Sequence, residues 1–241
     1  MFDLHEKRAV VTGSTQGIGY AIAAALVTAG AEVTVCGRHA EKTEKARQSM
    51  GAAHAAVADL AHRDGAARLF AQSGEADILV ANASMQFRTP WDKIGEAEFD
   101  EQVNANLYAT LSLLQYYLPG MQRRGWGRAV TLGSVQQSVP HPQMAVYAAT
   151  KCAVMSLVRN IAKQVAASGV TVNNLSPGVI ATPRNETALS DPVYTAKVLA
   201  GIPAGYAGQA QDLAAAALLL CSNEGRYITG IDLPVDGGMG L

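Results

Sequence analysis

Arg8-Ala9-Val10-Val11-Thr12-Gly13-Ser14-Thr15-Gln16-Gly17-Ile18-Gly19 decides how this chain is read. A short apolar run gives way to a turn with three glycines, and an apolar helical pattern follows. In isolation such a turn is also an ordinary tight turn. Its setting between strand and helix gives it weight, because glycines let backbone approach a phosphate and a helix start offers free N–H groups. Working outward, short apolar runs keep alternating with longer amphipathic ones. The expected strands are Arg8–Thr12, Glu32–Cys36, Ala53–Ala58, Ile78–Ala81, Arg128–Gly133, Val170–Leu175 and Asp232–Val235. Helices are expected over Gly17–Ala29, Glu41–Ser49, Arg63–Ser73, Glu98–Arg123, Met144–Ala167 and Ala210–Cys221. That alternation predicts an α/β fold, a doubly wound, seven-stranded parallel sheet with helices on both faces.

The chain has 241 residues and no Pro/Gly/Ser-rich linker, which predicts one domain over residues 1–241. Residues 181–208 hold three prolines and three glycines without a clean period, and are read as a mobile lid over the site. Hydrophobic residues make up 49%, enough for a core on both faces of the sheet. The formal charge of −1, with basic residues scattered, argues against nucleic acid. Cys36, Cys152 and Cys221 lie far apart in apolar stretches and are expected as buried thiols, with neither disulfides nor a metal site. The first seven residues lack a signal-peptide core, and no run approaches the ~18 apolar residues of a membrane span. A cytoplasmic setting is expected. Ala214 to Leu220 is apolar all round, which predicts a buried helix or a subunit contact.

Candidate chemistry centres on Tyr147 and Lys151, one helical turn apart and therefore on one helix face. A phenol titrates near ~10 and needs a neighbouring positive charge to serve as acid or base near neutrality; Lys151 is placed to supply it. Ser134, at the end of an apolar run thirteen residues earlier, would bind the same substrate oxygen. The second strand ends Val35-Cys36-Gly37-Arg38-His39, with no acid to take a ribose 2′-OH. Arg38 suits a 2′-phosphate, so NADP is predicted rather than NAD, the alternative being a solvated arginine.

Glycine turn, Asn-Ala loop, mid-helix asparagine, strand-end serine, Tyr/Lys pair and Pro-Gly loop occur in one order. In this the chain resembles the short-chain dehydrogenase/reductase family, whose turn has the form Thr-Gly-x-x-x-Gly-x-Gly. The resemblance spans nearly the whole chain, through Val235-Asp236-Gly237-Gly238, and implies the Rossmann fold. It implies cofactor contacts from Gly13, Ser14, Thr15, Gln16, Gly17, Ile18 and Gly19, and from Asp59 and Leu60 to the adenine. Asp59 also suits a helix N-cap. Asn82-Ala83-Ser84 looks like the family's Asn-Asn-Ala-Gly loop with two changes, Ala81 for the first asparagine and Ser84 for the glycine, which implies cofactor contacts from Asn82, Ala83 and Ser84. A further departure is Gln16, where many NADP-using relatives carry a basic residue. Pro177, Gly178, Ile180 and Thr182 would hold the nicotinamide.

The resemblance further implies a catalytic set of Asn106, Ser134, Tyr147 and Lys151. Tyr147 would be the general acid or base, Ser134 would hold the substrate oxygen, and Lys151 would also bind the nicotinamide ribose. Asn106, with Asn104 as the neighbouring alternative, would keep a water for proton relay. Substrate contacts are expected from Met85 to Arg88, Trp91, Gln136, Gln137, His141 to Met144 and Arg184 to Tyr194. Of these, Gln136, His141 and Arg184 join Ser134 and Tyr147 as the chosen set. Amide-rich loops favour a sugar, polyol, sugar acid or other small oxygenated ketone. A 3-oxoacyl-carrier-protein reductase fits the same motifs, and a non-catalytic NADP-binding sensor is the reading from another class. Relatives are usually homotetramers, which sets the same expectation here.

Overall fold

The computed structural model describes residues 2–241. Its main sheet has seven parallel strands in the order β3-β2-β1-β4-β5-β6-β9. These are β1 (Arg8–Thr12), β2 (Glu32–Gly37), β3 (His54–Val57), β4 (Ile78–Ala81), β5 (Gly127–Leu132), β6 (Val170–Pro177) and β9 (Asp232–Val235). The seven expected strands are therefore present, three on their expected bounds and four with ends shifted by a residue or two. The chain runs outward from β1 through β2 to β3, then crosses back to start β4 on the other side of β1. This reversal leaves a crevice beyond the carboxyl ends of β1 and β4, the ordinary ligand position of such sheets.

Side chains alternate across β1. Val10 enters one core, with Leu69, Leu79, Leu113, Tyr117, Met121 and Val158. Ala9 and Val11 enter the other, with Ile22, Leu26, Val33, Val35, Leu213 and Leu220. The first core is roofed by α3 (Gly65–Ser73), α5 (Ala109–Arg124) and α6 (Ala145–Val165), the second by α1 (Gly17–Thr28) and α9 (Ala210–Cys221). A fully buried Leu or Val contributes ~1.5–3 kcal/mol; a one-residue slip of β1 would carry Val10 into the second core and Val11 into the first, so packing on both faces fixes the register. The remaining elements are α2 (Ala40–Met50) and α4 (Glu96–Val103), with α7 (Glu186–Leu189), α8 (Pro192–Ala200) and the short strands β7 (Ile180–Ala181) and β8 (Gly208–Gln209) in the 181–208 segment.

Three expectations need correction, and one segment gains detail. The single helix over Glu98–Arg123 is α4 and α5 joined by a π turn at Asn104–Tyr108, where Thr110 Oγ1 donates to the Asn106 carbonyl at 2.7 Å. The 181–208 segment, without a clean period in sequence, holds two short helices. Asp191 caps α8, its carboxylate accepting from the Val193 amide at 2.9 Å, and Pro192 occupies the first turn. The Ala-rich helix is buried on one side only, through Leu213, Ala214, Ala217 and Leu220. Cys36 and Cys221 are buried but Cys152 is exposed, because α6 turns that face outward.

Candidate active site

Gly13 has φ +62°, and a Cβ there would sit 3.0 Å from both Ala83 Cα and Asn82 Nδ2. Only glycine makes that turn at such close approach. Asn82, directly after β4, braces it by donating from Nδ2 to the Thr12 and Gly13 carbonyls at 2.8 and 3.1 Å. The Thr12 hydroxyl accepts from the Asn82 and Ala83 amides, both at 3.0 Å. The two strand ends at the crevice are thus sewn together. α1 begins beyond the turn with no side-chain cap and no acid in its first turn, leaving its amides for a ligand.

A cavity of about 550 Å³ runs from this turn to the 181–208 segment. Of the expected cofactor residues, Gly13, Thr15, Gln16, Gly17, Ile18, Gly19, Arg38, Asp59, Leu60, Asn82, Ala83, Ser84, Tyr147, Lys151, Pro177, Gly178, Ile180 and Thr182 line it. Ser14 does not. Its hydroxyl is spent on the Val11 carbonyl (2.7 Å) and the Cys36 amide (3.0 Å), tying the turn to β2. Asp59 caps no helix; its Oδ1 accepts from the Ala61 amide at 3.0 Å, and α3 starts six residues later. Sequence reasoning missed Lys42, which lines the cavity with Arg38 from the first turn of α2. The signal was available as a second cation four residues after Arg38. Val198 and Met239 also line it and carried no local signal.

The donor set suits an NADP molecule. A cradle of uncapped helix amides faces the middle of the cavity, and two unpaired cations flank the end of β2. Among the residues lining the cavity, Asp59 is the only carboxylate.

At the other end lie Ser134, Tyr147 and Lys151. Ser134 caps a short 3₁₀ turn at Val135–Gln137; its hydroxyl accepts from the Gln136 amide at 3.2 Å. Gln137 completes the box, Oε1 accepting from the Ser134 amide at 3.1 Å. A Cβ on Gly133 would run into Asn174 Nδ2, Gln137 Oε1 and Ser176 Oγ, so the strand end needs glycine there. Gln137 is therefore turned from the cavity; Phe87, Trp91, Pro142 and Gln143 also fall outside its lining, while Gln136, His141 and Arg184 are in it.

Asn106 does not line the cavity. It is 1% exposed, with Oδ1 accepting from the Met85 amide (2.7 Å) and Nδ2 donating to the Met85 carbonyl (2.9 Å) and Thr150 Oγ1 (3.1 Å). Thr150 Oγ1 in turn donates to the Tyr147 carbonyl at 2.7 Å. The side chain thus locks α6 to the loop after β4.

The Tyr/Lys pair differs from the simple expectation. Lys151 Nζ donates to the Leu132 carbonyl at 2.6 Å and lies 5.5 Å from the centroid of the Tyr147 ring. Burial raises the phenol above its ordinary value; Arg184 and the Ser134 hydroxyl lower it. Burial, with the Arg184 charge, pushes the lysine down to about 7. Arg184, from the 181–208 segment, thus adds its positive charge to the surroundings of both groups.

Fold and cavity together define an α/β nucleotide-binding protein with an acid/base pair at one end of its cleft. The family described as enoyl-(acyl carrier protein) reductase matches residues 13–240. The gluconate 5-dehydrogenase of Gluconobacter oxydans is 35% identical, over 99% of this chain and 96% of its own. Two solved structures superpose closely. One is a 3-oxoacyl (acyl-carrier-protein) reductase from Agrobacterium tumefaciens with NADP bound, at TM-score 0.94, 33% identity and coverage of 98% and 95%. The other is a gluconate 5-dehydrogenase from Burkholderia cenocepacia in complex with NADP and tartrate, at TM-score 0.90, 34% identity and coverage of 99% and 96%. The chain belongs to the short-chain dehydrogenase/reductase family, and is an oxidoreductase of that family acting on CH–OH groups. No helix among the described residues is long and apolar enough to cross a membrane.

Proposed function

We propose that this protein is an NADP(H)-dependent oxidoreductase that interconverts a carbonyl and a secondary alcohol on a small oxygenated ketone, sugar, polyol or sugar acid. The observation that carries the reading is the convergence of Ser134, Tyr147 and Lys151 at one end of a cavity whose other end holds the glycine turn, Arg38 and Lys42. NADP(H), when bound, supplies or accepts the hydride. Arg38 and Lys42 would take its 2′-phosphate, and Thr15 to Gly19 its pyrophosphate.

Tyr147 donates a proton to the substrate oxygen in reduction and removes one in oxidation. It starts well protonated, since burial favours the neutral phenol, which suits it to the acid role. Ser134 holds the same oxygen, its hydroxyl fixed by the 3₁₀ turn. Lys151, held by the Leu132 carbonyl and titrating at about 7, can exchange protons near neutrality and pass them toward Tyr147. Residues 181–208 act as the lid of a single-domain enzyme. A homotetramer is carried over from the family by analogy; such an assembly could cover the exposed Tyr227, Ile231, Phe99 and Tyr116.

The test is NADPH oxidation with ketoses, keto-acids, diketones and acetoacetyl thioesters, with NADH and Tyr147→Phe alongside. Positioned acid–base catalysis contributes ~10²–10⁴-fold, so Tyr147→Phe should lose that much while still binding NADPH. Retention of more than about a tenth of the rate overturns the tyrosine role. A second reading, 3-oxoacyl-carrier-protein reductase, is supported by the relative of that name; it requires that thioesters outrun every sugar derivative.

A further inference from the structure

Arg184 enters the cavity from the 181–208 segment and spends both terminal nitrogens on neutral acceptors. Nη1 donates to Ser84 Oγ at 2.9 Å and Nη2 to the Ser84 carbonyl at 2.8 Å. No carboxylate meets it. Arg88, after β4, also lines the cavity; its guanidinium lies 5.7 Å from the Tyr194 ring centroid, and burial together with the Arg88 charge holds His141 below its ordinary value. Two guanidiniums and an imidazole thus gather at the end that holds Tyr147. The one carboxylate of the cavity wall, Asp59, follows β3 at the far edge of the sheet.

An independent observation lies two residues from Ser134. Gln136 Oε1 is buried and accepts from no donor among the described residues. Buried acceptors almost always have partners, and an orphan beside a cavity is a place for a ligand hydroxyl.

We propose that Arg184 is the receptor for a substrate carboxylate, with Arg88 supporting the same charge, and that Gln136 takes a hydroxyl of the same molecule. The substrate class is then a hydroxylated carboxylic acid and its keto-acid, a selection within the oxidoreductase reading above, on which it rests. A guanidinium fork matches a carboxylate in two parallel hydrogen bonds, each shorter and stronger than a bond to a hydroxyl or carbonyl. Exchanging Ser84 for such a partner is therefore favourable. It also balances the cation that bears on Tyr147 and Lys151, which links carboxylate capture to the protonation of the reacting pair.

D-gluconate and D-glucitol separate the question, since they differ at C1 by a carboxylate against a hydroxymethyl group. The first readout is binding to the NADP⁺-loaded protein, followed as the shift in thermal midpoint for wild type, Arg184→Gln and Arg184→Lys. D-gluconate should raise the wild-type midpoint more than D-glucitol does. Arg184→Gln should abolish the difference and weaken D-gluconate binding by roughly tenfold or more, the loss expected for a charge-assisted pair. Arg184→Lys should recover part of it.

The second readout is the ratio of kcat/KM for D-gluconate to that for D-glucitol, which should fall about tenfold in Arg184→Gln. Equal shifts by the two ligands, no shift by either, or a loss in Arg184→Gln confined to NADP⁺ binding overturns the proposal. Tyr147→Phe separates the two readings. If it keeps D-gluconate binding and loses turnover, the tyrosine role stands whatever Arg184 does; if it keeps turnover, that role fails while carboxylate capture is still judged by the binding readout.

Discussion

The amide of Ser134 donates to Gln137 Oε1 at 3.1 Å, and the other end of that side chain, Nε2, donates to Asp232 Oδ2 at 2.9 Å. The remaining carboxylate oxygen accepts from Asn174 Nδ2 (2.8 Å) and Ser176 Oγ (2.6 Å). The last strand of the sheet therefore orients the turn that carries the serine. Every donor in the set faces an acceptor, so the polarity of Gln137 is dictated by Asp232.

Asp232→Asn should for this reason be harmful despite its shape. It presents an NH₂ group to Gln137 or to the Asn174 and Ser176 donors, and the simplest repair flips Gln137 and turns its Nε2 onto the Ser134 amide. One hydrogen bond to such a group carries ~0.5–1.5 kcal/mol, so kcat should fall roughly three- to tenfold. Gln137→Leu should do the same. Steady-state kinetics check both; a normal kcat with a raised KM for NADPH would disconnect this network from the serine.

Arg38 and Lys42 should set cofactor choice together. A hydrogen bond to a charged group carries ~1.5–3 kcal/mol, so Arg38→Ala should lower the NADPH-to-NADH ratio of kcat/KM by roughly 10–100-fold. Lys42→Ala should lower it less, because a lysine meets phosphate as a point charge without the planar fork. An unchanged ratio in the double variant would remove both from the 2′-phosphate.

The buried lysine gives stability a pH dependence whose sign follows from its direction of shift. Lys151 titrates at about 7 when folded against an ordinary 10.5, so between these values the unfolded chain holds the extra proton. Stability from this group rises with pH across that window and is lost as pH falls through 7. Lys151→Met removes the dependence, so its stability relative to wild type should decline steadily from pH 7 toward 10. Urea titrations at several pH values measure the difference, which cancels the opposite trend from the buried thiols of Cys36 and Cys221, each raised to about 12. A pH-independent difference would mean that Lys151 stays charged in the folded chain.

Arg128 is 2% exposed and has no carboxylate partner. Its Nε donates to the Ser222 carbonyl at 3.0 Å and Nη1 to the Gly127 and Gly169 carbonyls at 2.8 and 3.2 Å, while the guanidinium lies 4.4 Å from the centroid of the Trp126 ring. Removing it leaves the buried Ser222 and Gly127 carbonyls, and the part-buried Gly169 carbonyl, short of a donor. Arg128→Ala should destabilise the fold by about 2–5 kcal/mol, read as a lower urea midpoint at unchanged slope.

The fold was written in local pattern. A strand of four or five apolar residues, a glycine turn and an amphipathic helix can be recognised from their own composition, because periodicity and backbone conformation are properties of neighbours in the chain. That is why β1, β4, β9 and α9 fell on their expected boundaries. Tyr147 and Lys151 were legible for the same reason, since four residues on a helix fix a common face. The α8 helix was harder, although Asp191-Pro192 is a helix start; none of its residues is buried, so no apolar stripe marks it.

Relationships between remote segments had no such local record. That Gln137 serves Ser134 rather than substrate depends on Asp232, ninety-five residues on, arriving by strand register at its side. That Arg184 bears on Tyr147 depends on how the 181–208 segment folds back to Ser84, a hundred residues earlier. That Asn106 is spent on Met85 and Thr150 depends on the π turn that rotates it inward. The sequence by itself determined which groups can carry protons, phosphate and hydride chemistry, because those are properties of single side chains and their near neighbours. Only the tertiary structure decided which groups are buried, which are already hydrogen-bonded and which charge meets which proton, because desolvation and Coulomb interaction depend on distance in space.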